Sequence, residues 1–211
     1  MIVVVDYGSG NLRSVAKALE SAGASVVVSG DPATARRADR LVLPGVGAFG
    51  DCRRNLDAAG LTEPILEHLQ AGRPFLGICV GMQLLFAEGL EFGRHPGLHV
   101  IPGQVVPFDK AMGDPADGAR HLKVPHMGWN RVRQTQEHPL WNGIPDQSHF
   151  YFVHSFHGRP EEPAVVAGES DYGLPFAAAV ARDNLFGAQF HPEKSQRRGL
   201  QLLANFIGWR P

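Results

Sequence analysis

The chain has 211 residues, of which 44% are hydrophobic and 19% are charged, so it is long and apolar enough to bury a sizeable core. Its 20 basic and 21 acidic residues give a formal net charge of −1, which excludes recruitment of nucleic acid or an anionic membrane by net charge. The two cysteines cannot form a disulfide framework, no apolar run is long enough to span a bilayer, and the N-terminus lacks the basic segment of a signal peptide. We therefore predict a cytoplasmic protein that binds neither nucleic acid nor membrane.

The first half of the chain alternates apolar runs with helical patterns. Strands are predicted at IVVV (2–5), SVVVS (25–29), RLVLPG (40–45) and PFLGI (74–78). The spacing of apolar residues predicts a helix that starts near Leu12 and stops at Gly23. A further helix is expected from an N-cap at Thr62 to Gly72, and GMQLLFAEG (81–89) is expected to form a short helix after the fourth strand.

The second half of the chain is richer in strands. They are predicted at LHVIPGQVVPF (98–108), HFYFVHSF (149–156), AVVAGES (164–170), PFAAAVA (175–181) and LFGAQF (185–190). Ser195 is expected to cap a last helix, and the polar segment 110–120, rich in Gly, Pro and Asp, is predicted to be a surface loop. Together the elements predict one three-layer α/β domain over residues 1–211 with a mostly parallel central sheet.

The segment GSGNLR (8–13) after the first strand has part of a dinucleotide-binding fingerprint, with Asp31 at the position of the ribose-binding acid. Arg13 stands where the third glycine is needed for close packing of helix and strand, so the pattern favours a tight strand–helix turn over a nucleotide site.

The segment GICVGMQ (77–83) has the layout of a nucleophile elbow, in which a strand runs into a cysteine between two glycines and then into a helix. Such a turn exposes the sulfur at the carboxyl end of the sheet and aims the amide of Val80 at an oxyanion. The pattern alone leaves two interpretations of Cys79, a nucleophile or a small buried side chain.

A base for Cys79 is found in GAQFHPEKS (187–195). Pro192 favours an extended His191, and residues two apart in extended chain share a face, so Glu193 is expected to contact the imidazole and fix its tautomer. His126 and His154 lie in apolar surroundings and are interpreted as packed, hydrogen-bonded residues. No histidine has metal-ligand spacing, and we predict no metal.

A second oxyanion donor is expected from LPGVGAFGD (43–51). Gly45, Val46 and Gly47 follow a strand end, where glycines let backbone amides approach a ligand, although the stretch also fits a plain connecting loop. Cys52 has no elbow and is interpreted as a bystander.

Together the GxCxGMQ elbow, the PGVGAFG loop and the C-terminal FHPEKS resemble the class I (triad) glutamine amidotransferases. DYGSGNLRSV (6–15), KVPHMGWN (123–130), YFVHSF (151–156) and QFHPEKS (189–195) are similar, more specifically, to the glutaminase subunits of imidazole glycerol phosphate synthase. The resemblance runs over the whole chain and implies their flavodoxin-like fold, with 110–120 the least typical segment.

The resemblance also implies roles for individual residues. Cys79, His191 and Glu193 would be the triad that hydrolyses the amide of L-glutamine, with the oxyanion held by Val80 and the PGVG loop. Gln83, Glu91, Ser155 and Phe156 would bind the glutamine, and no cofactor is implied. The implied partner is a cyclase subunit with a (β/α)₈ barrel, forming a heterodimer. The residues expected at that border and its ammonia passage are Gly8, Ser9, Gly10, Asn11, Trp129, Tyr151 and Lys194.

Three alternatives stay open at this point. One is another glutaminase subunit, such as that of pyridoxal phosphate synthase or anthranilate synthase, against which MGWN and DYGSGN argue. Another is a cysteine peptidase-like or stress-response protein of the same fold, in which a histidine follows the elbow cysteine; here Val80 follows it. The third is an inactive regulatory module, which the intact Cys79, His191 and Glu193 disfavour.

Overall fold

The structure is a computed structural model that describes residues 1–109, 112–114 and 117–211. Its α-helices are α1 (Leu12–Ser21), α2 (Pro32–Arg37), α3 (Phe49–Ala58), α4 (Thr62–Gln70), α5 (Val80–Gln83) and α6 (Gln196–Gly208). Short 3₁₀ turns occur at Pro139–Trp141, Pro163–Val165 and Pro192–Lys194. Among the described residues, no helix has both the length and the hydropathy needed to cross a membrane.

The first four strands follow the predicted runs closely. In chain order the strands are β1 (Ile2–Val5), β2 (Val26–Ser29), β3 (Arg40–Gly45), β4 (Phe75–Cys79), β5 (Phe86–Gly89), β6 (His95–Pro96), β7 (Ile101–Pro107), β8 (Gly113–Asp114), β9 (Asp117–His121), β10 (His126–Gln134), β11 (Ser148–His154), β12 (Phe156–Pro160), β13 (Val166–Asp171), β14 (Pro175–Arg182) and β15 (Leu185–Ala188).

The central sheet has nine strands in the order β11-β10-β13-β14-β15-β4-β3-β1-β2. The five strands from β15 to β2 are parallel, whereas the four strands from β14 to β11 are antiparallel to their neighbours. The predicted α/β fold is confirmed, and its sheet is mixed, with a parallel half and an antiparallel half. The parallel strands β1, β3 and β4 are buried along almost their whole length, as strands covered on both faces require.

The order of the parallel strands creates a crevice at the carboxyl ends of β1 and β3. The chain moves from β1 to β2 in one direction and from β2 to β3 in the other, so right-handed crossovers place α1 and α2 on opposite faces. In open α/β sheets such a reversal of strand order is where ligands bind. The segment after β1, the segment after β3 and the end of β4 all meet there.

A second sheet, in the order β12-β7-β5-β6, packs beside this crevice. The predicted strand 149–156 divides between the two sheets. Its first part, β11, belongs to the central sheet and ends at His154, and β12 starts at Phe156 in the second sheet. Ser155 is therefore the residue at which the chain passes from one sheet to the other.

Several element predictions are wrong. The short helix α5 ends at Gln83, and Phe86–Gly89 is a strand because it pairs with β7, a tertiary contact that outweighs the local pattern. Thr62 is the first residue of α4 rather than its cap, and its hydroxyl donates to Asp57 at 2.6 Å instead of accepting from the helix. In the predicted 110–120 loop, β8 pairs with β9, and residues 110, 111, 115 and 116 lie outside the described residues.

Candidate active site

Cys79 ends β4 on a strained turn, with φ 55° and ψ −114°. Positive φ is uncommon for residues other than glycine, and such strain persists mostly where the surrounding structure enforces it at functional sites. The side chain is 4% exposed at the sheet edge that forms the crevice. The predicted elbow is therefore present in the backbone.

The two glycines that flank Cys79 are required by close packing. A Cβ on Gly81 would lie 1.8 Å from the carbonyl oxygen of Leu43 in β3, and a Cβ on Gly77 would lie 2.8 Å from the carbonyl oxygen of Gly81. Real Cβ atoms do not approach backbone this closely. The GxCxG spacing thus lets α5 start directly against β3 and β4.

His191 and Glu193 lie together at the C-terminal end of the chain's last strand. His191 Nδ1 is 2.8 Å from Glu193 Oε1, and both side chains are almost fully buried. His191 is extended as predicted, with φ −100° and ψ 98°, but the chain enters the 3₁₀ turn Pro192–Lys194 at the next residue. The expected contact between imidazole and carboxylate is present, and only the conformation after His191 differs from the prediction.

The charge of His191 depends on its neighbours. Burial by itself would lower the pKa of this imidazole, but the sulfur of Cys79 and the carboxylate of Glu193 raise it to about 10. Its Nε2 is buried and, among the described residues, has no hydrogen bond of ordinary geometry. The structure therefore brings together Cys79, His191 and Glu193 in the arrangement of a nucleophile, a base and its orienting acid.

The loop after β3 is held by the segment after β1. The Ser9 hydroxyl donates to the Val46 carbonyl oxygen at 2.5 Å and lies 3.3 Å from the Val46 amide nitrogen, which donates to it. The thiol of Cys52 also lies 3.3 Å from that carbonyl oxygen, and burial raises the pKa of this thiol. Cys52 thus contributes to the packing of the predicted oxyanion loop.

The remaining backbone of this loop lies close to the elbow. A Cβ on Gly45 would lie 2.8 Å from the amide nitrogen of Gly81, and Gly47 adopts φ 96°, a conformation that favours glycine. Val46, Gly47 and Val80 all line the cavity that contains Cys79. The predicted oxyanion residues are therefore assembled beside the sulfur, but the Val46 amide is already bonded to Ser9.

A cavity of about 570 Å³ opens at Cys79. The predicted glutamine-binding residues Gln83, Glu91, Ser155 and Phe156 all line it, together with His191 and the exposed ring of Phe92. Glu91 accepts a hydrogen bond at 2.7 Å from the amide of Phe49, the first residue of α3. That bond fixes a carboxylate at the cavity wall, where it can attract an ammonium group.

Gln83 has more structural partners than the sequence suggested. Its Nε2 donates to the carbonyl oxygen of Phe156 at 3.1 Å and to Oε1 of Gln189 at 3.0 Å. These two acceptors use both Nε2 hydrogens, so the group that Gln83 offers to a ligand is its Oε1. Gln189, which sequence reasoning missed, is fully buried and donates to the sulfur of Cys79 at 3.7 Å.

Three of the predicted border residues form a cluster on the outer face of β10 and β11. Trp129 and Tyr151 are cross-strand partners with ring centroids 6.1 Å apart, and Lys194 lies over the Tyr151 ring at 5.7 Å. Trp129 is 46% exposed. Gly8, Ser9, Gly10 and Asn11 lie in the segment between β1 and α1, which holds Val46.

Ser195, expected to cap α6, makes no side-chain cap there. Its hydroxyl instead donates to the carbonyl oxygen of His191 at 2.7 Å and accepts from the amide of Tyr151 at 2.9 Å. It therefore anchors the turn that carries the His191–Glu193 pair to β11. Its position after FHPEK was the only signal for this role.

Asp31 has no role in the crevice. Its carboxylate accepts hydrogen bonds from the amides of Ala33 and Thr34 and caps α2. The preference for a plain strand–helix turn over a dinucleotide site at 8–13 is consistent with this arrangement.

Comparisons with known proteins identify the family. The family model described as "Glutamine amidotransferase class-I" matches residues 3–209. The chain is 55% identical to imidazole glycerol phosphate synthase subunit HisH of Syntrophotalea carbinolica over 206 residues, which cover 98% of each protein. It is also 55% identical to HisH of Aromatoleum aromaticum, over 100% of this chain and 99% of that protein, and 51% identical to HisH 1 of Pseudomonas aeruginosa, over 99% and 96%.

Solved structures agree in fold. A glutamine amidotransferase crystal structure aligns over 98% of this chain and 97% of its own with a TM-score of 0.73 at 18% identity. A chain of PurLQS from Thermotoga maritima aligns over the same shares with a TM-score of 0.72, also at 18% identity. This chain therefore belongs to the class I glutamine amidotransferases and, within them, to the family of subunit HisH of imidazole glycerol phosphate synthase.

Proposed function

We propose that the chain, as a single domain over residues 1–211, is the glutaminase subunit of imidazole glycerol phosphate synthase and that Cys79, His191 and Glu193 carry out its chemistry. It hydrolyses L-glutamine to glutamate and ammonia and delivers the ammonia to a cyclase subunit. The observation that carries this proposal is the buried His191–Glu193 pair, 2.8 Å apart, beside a cysteine on a strained elbow. Full-length identity of 50% or more to HisH subunits supports the assignment to imidazole glycerol phosphate synthase rather than to another glutaminase.

The reaction starts with the sulfur of Cys79 attacking the side-chain amide carbon of glutamine. A raised pKa keeps His191 protonated at neutral pH, so its proton is available to the departing nitrogen. The carbon–nitrogen bond breaks, ammonia leaves, and a γ-glutamyl thioester with Cys79 remains. His191, now neutral, accepts a proton from water as it attacks the thioester, and glutamate leaves with the sulfur restored.

The negative oxygen formed in each addition needs donors at the cavity wall. The Val80 amide and the backbone of Gly45, Val46 and Gly47 are the groups we assign to this task, because they lie beside Cys79. Glu91 is positioned for the α-ammonium of glutamine, and the backbone at Ser155 and Phe156 for its α-carboxylate. The Oε1 of Gln83 supplies an acceptor.

We propose a cyclase with a (β/α)₈ barrel as the partner, docked on the side of the crevice that carries Ser9, Val46 and Trp129. Exposed apolar side chains on this side include Val46 (44%), Met127 (63%) and Trp129 (46%), which a partner would cover. Gly8, Gly10, Asn11, Tyr151 and Lys194 belong to the same proposed border. Ammonia must cross it unprotonated, since ammonium has no lone pair for attack, and a dry contact preserves that form.

Transfer of labelled nitrogen tests the proposal. The chain is combined with the cyclase, its nucleotide substrate and glutamine labelled with ¹⁵N at the side-chain amide, in the presence of unlabelled ammonium. We expect ¹⁵N in the imidazole product, because the ammonia crosses directly between the subunits. Glutamate formation with only unlabelled product would contradict delivery, and no glutamate formation in the complex would contradict the glutaminase assignment.

A further inference from the structure

Two buried histidines outside the Cys79–His191–Glu193 group face each other across neighbouring strands. His126 in β10 and His154 in β11 are register partners and are 3% and 6% exposed. Burial lowers the pKa of His126 to about 4 and that of His154 to about 3. Both rings are therefore neutral at physiological pH, so each has one N–H donor and one acceptor nitrogen.

Their hydrogen bonds fix which nitrogen carries each proton. His154 Nδ1 is 2.8 Å from the carbonyl oxygen of Phe156, which only accepts, so Nδ1 is protonated. His154 Nε2 is then an acceptor, and His126 Nδ1, 2.9 Å away, donates to it. His126 Nε2 accepts in turn from the Asn130 amide at 3.3 Å.

The hydrogen bonds at Asn130, where this series begins, are fixed as well. The Asn130 side-chain oxygen accepts from the amide of Arg131 at 2.8 Å, and its nitrogen also donates to the carbonyl oxygen of Asp171 at 2.8 Å. With its amide flipped, Asn130 would lose both bonds. Its oxygen would then face the carbonyl oxygen of Asp171, and two acceptors would meet. The direction of donation therefore runs only one way, from Asn130 through the two imidazoles to the Phe156 carbonyl.

The same carbonyl connects the histidines to the nucleophile. Gln83 must turn its Nε2 toward the Phe156 oxygen, and that nitrogen also donates to Gln189 Oε1. Because Gln189 Oε1 is used in this way, its Nε2 is the end that faces Cys79, at 3.7 Å from the sulfur. A reversed Gln189 would place an oxygen lone pair against the sulfur and its NH₂ against the NH₂ of Gln83.

We propose that Gln189 and His154 are positioning residues for the nucleophile. His154, itself held by His126 and Asn130, keeps the Phe156 carbonyl in place; this carbonyl orients Gln83, and Gln83 keeps the Nε2 of Gln189 on the sulfur of Cys79. A donor at this place favours the thiolate over the thiol, because a hydrogen bond to a charged acceptor is stronger than one to a neutral acceptor. The hydrogen bonds from His154 and Gln83 also keep the Phe156 peptide fixed at the cavity wall. The consequence for glutamine turnover rests on the proposed function, whereas the effect on the sulfur does not.

Alkylation of Cys79 by iodoacetamide as a function of pH tests the proposal on the complete chain. The Cys79 peptide is quantified by mass spectrometry, so reaction at Cys52 does not interfere. For Gln189→Leu and Gln189→Glu we expect the pH midpoint of alkylation to rise by about one unit, a tenfold loss of thiolate below the midpoint. Gln189→Leu leaves His191, Tyr7 and Cys52, the titratable groups that respond to Cys79, unchanged, whereas Gln189→Glu also adds a carboxylate that repels the thiolate.

Two substitutions of His154 test whether its hydrogen bond to the Phe156 carbonyl also affects the sulfur. His154→Phe keeps an aromatic ring among Phe108, Phe152 and Phe176 but removes the donor to Phe156, and we expect the same upward shift. His154→Asn places an amide nitrogen where Nδ1 lies, so we expect it to restore much of the wild-type profile. The control is Gln201→Leu, the same kind of change on the exposed face of α6, which should leave the profile unchanged.

The outcomes separate the network from the glutaminase chemistry. Folded Gln189→Leu or Gln189→Glu protein with the wild-type midpoint would overturn the role of Gln189, whether or not the chain hydrolyses glutamine. If His154→Phe does not fold, His154→Asn and the two Gln189 variants carry the test. A His154→Phe protein with an unshifted midpoint, or a His154→Asn protein shifted as far as Gln189→Leu, would confine the role to Gln189 and overturn that of His154. Absence of glutamate release by the wild-type complex would overturn only the proposed function.

Discussion

Ser9 holds both backbone groups of Val46, with its hydroxyl 2.5 Å from the carbonyl oxygen and 3.3 Å from the amide nitrogen. An amide that donates to Ser9 is not free to donate to an oxyanion at Cys79. In this conformation, therefore, the loop after β3 is assembled beside the nucleophile but has one of its donors occupied. The contact also links the loop to the segment that we assign to the partner border.

Ser9→Ala should raise glutamate release by the isolated chain. One hydrogen bond of about 1 kcal/mol corresponds to about a fivefold change, and the freed Val46 amide can then serve the oxyanion. Steady-state glutamate formation without the cyclase measures the effect. Ser9→Thr is the matched control, because it keeps the hydroxyl and should retain the wild-type rate. Equal rates in Ser9→Ala and wild type would show that Ser9 does not restrain the loop.

The pKa of His191 should depend on both of its neighbours. The sulfur of Cys79 and the carboxylate of Glu193 are what raise it to about 10, so Cys79→Ala and Glu193→Gln should each lower it. NMR titration of the imidazole resonances measures the value in each protein. A His191 pKa that is the same in wild type and in Cys79→Ala would contradict the assigned influence of the sulfur on the imidazole.

The same shift predicts how stability changes with pH. Because the folded-state pKa of His191 lies above its unfolded value of about 6.5, its contribution is complete below about pH 6.5 and is lost as pH rises towards 10. The free energy of unfolding, measured by urea denaturation, should therefore fall across this range more in wild type than in His191→Gln. Parallel curves for the two proteins would contradict the prediction.

Gly81→Ala should destabilise the fold strongly. The added methyl group would meet the carbonyl oxygen of Leu43 at 1.8 Å, and neither backbone can move without disturbing the elbow. We expect a loss of about 3 kcal/mol in the free energy of unfolding. Gly208→Ala at the exposed end of α6 meets no atom within 4 Å and should change stability by less than about 0.5 kcal/mol. Similar losses in the two variants would refute the packing argument.

The features that the sequence predicted well are those encoded in short segments. The strands IVVV and RLVLPG contain short apolar runs rich in β-branched or aliphatic residues, as strands buried on both faces require, and their bounds match the structure. The elbow at Cys79 and the pairing of His191 with Glu193 each need only a few consecutive residues. A local pattern is enough for these because the geometry is set by adjacent backbone.

The features that it missed depend on contacts between distant segments. The polar, alternating strand β10 was not predicted, because only its pairing with β11 and β13 makes it a strand. The division of HFYFVHSF at Ser155 reflects two different sheets, and nothing local marks it. Gln189 lies two residues before His191, yet its bond to Gln83 joins positions 106 apart in sequence.

The most direct test of the central claim is Cys79→Ala in the complex with the cyclase. The variant lacks the sulfur that attacks glutamine, whereas the cyclase reaction needs only ammonia. We predict that formation of imidazole glycerol phosphate from glutamine is lost, with a fall of at least about a thousandfold, and that formation from added ammonium salts stays at the wild-type rate. Glutamine-dependent product formation at the wild-type rate in Cys79→Ala would contradict the assignment of Cys79 as the nucleophile.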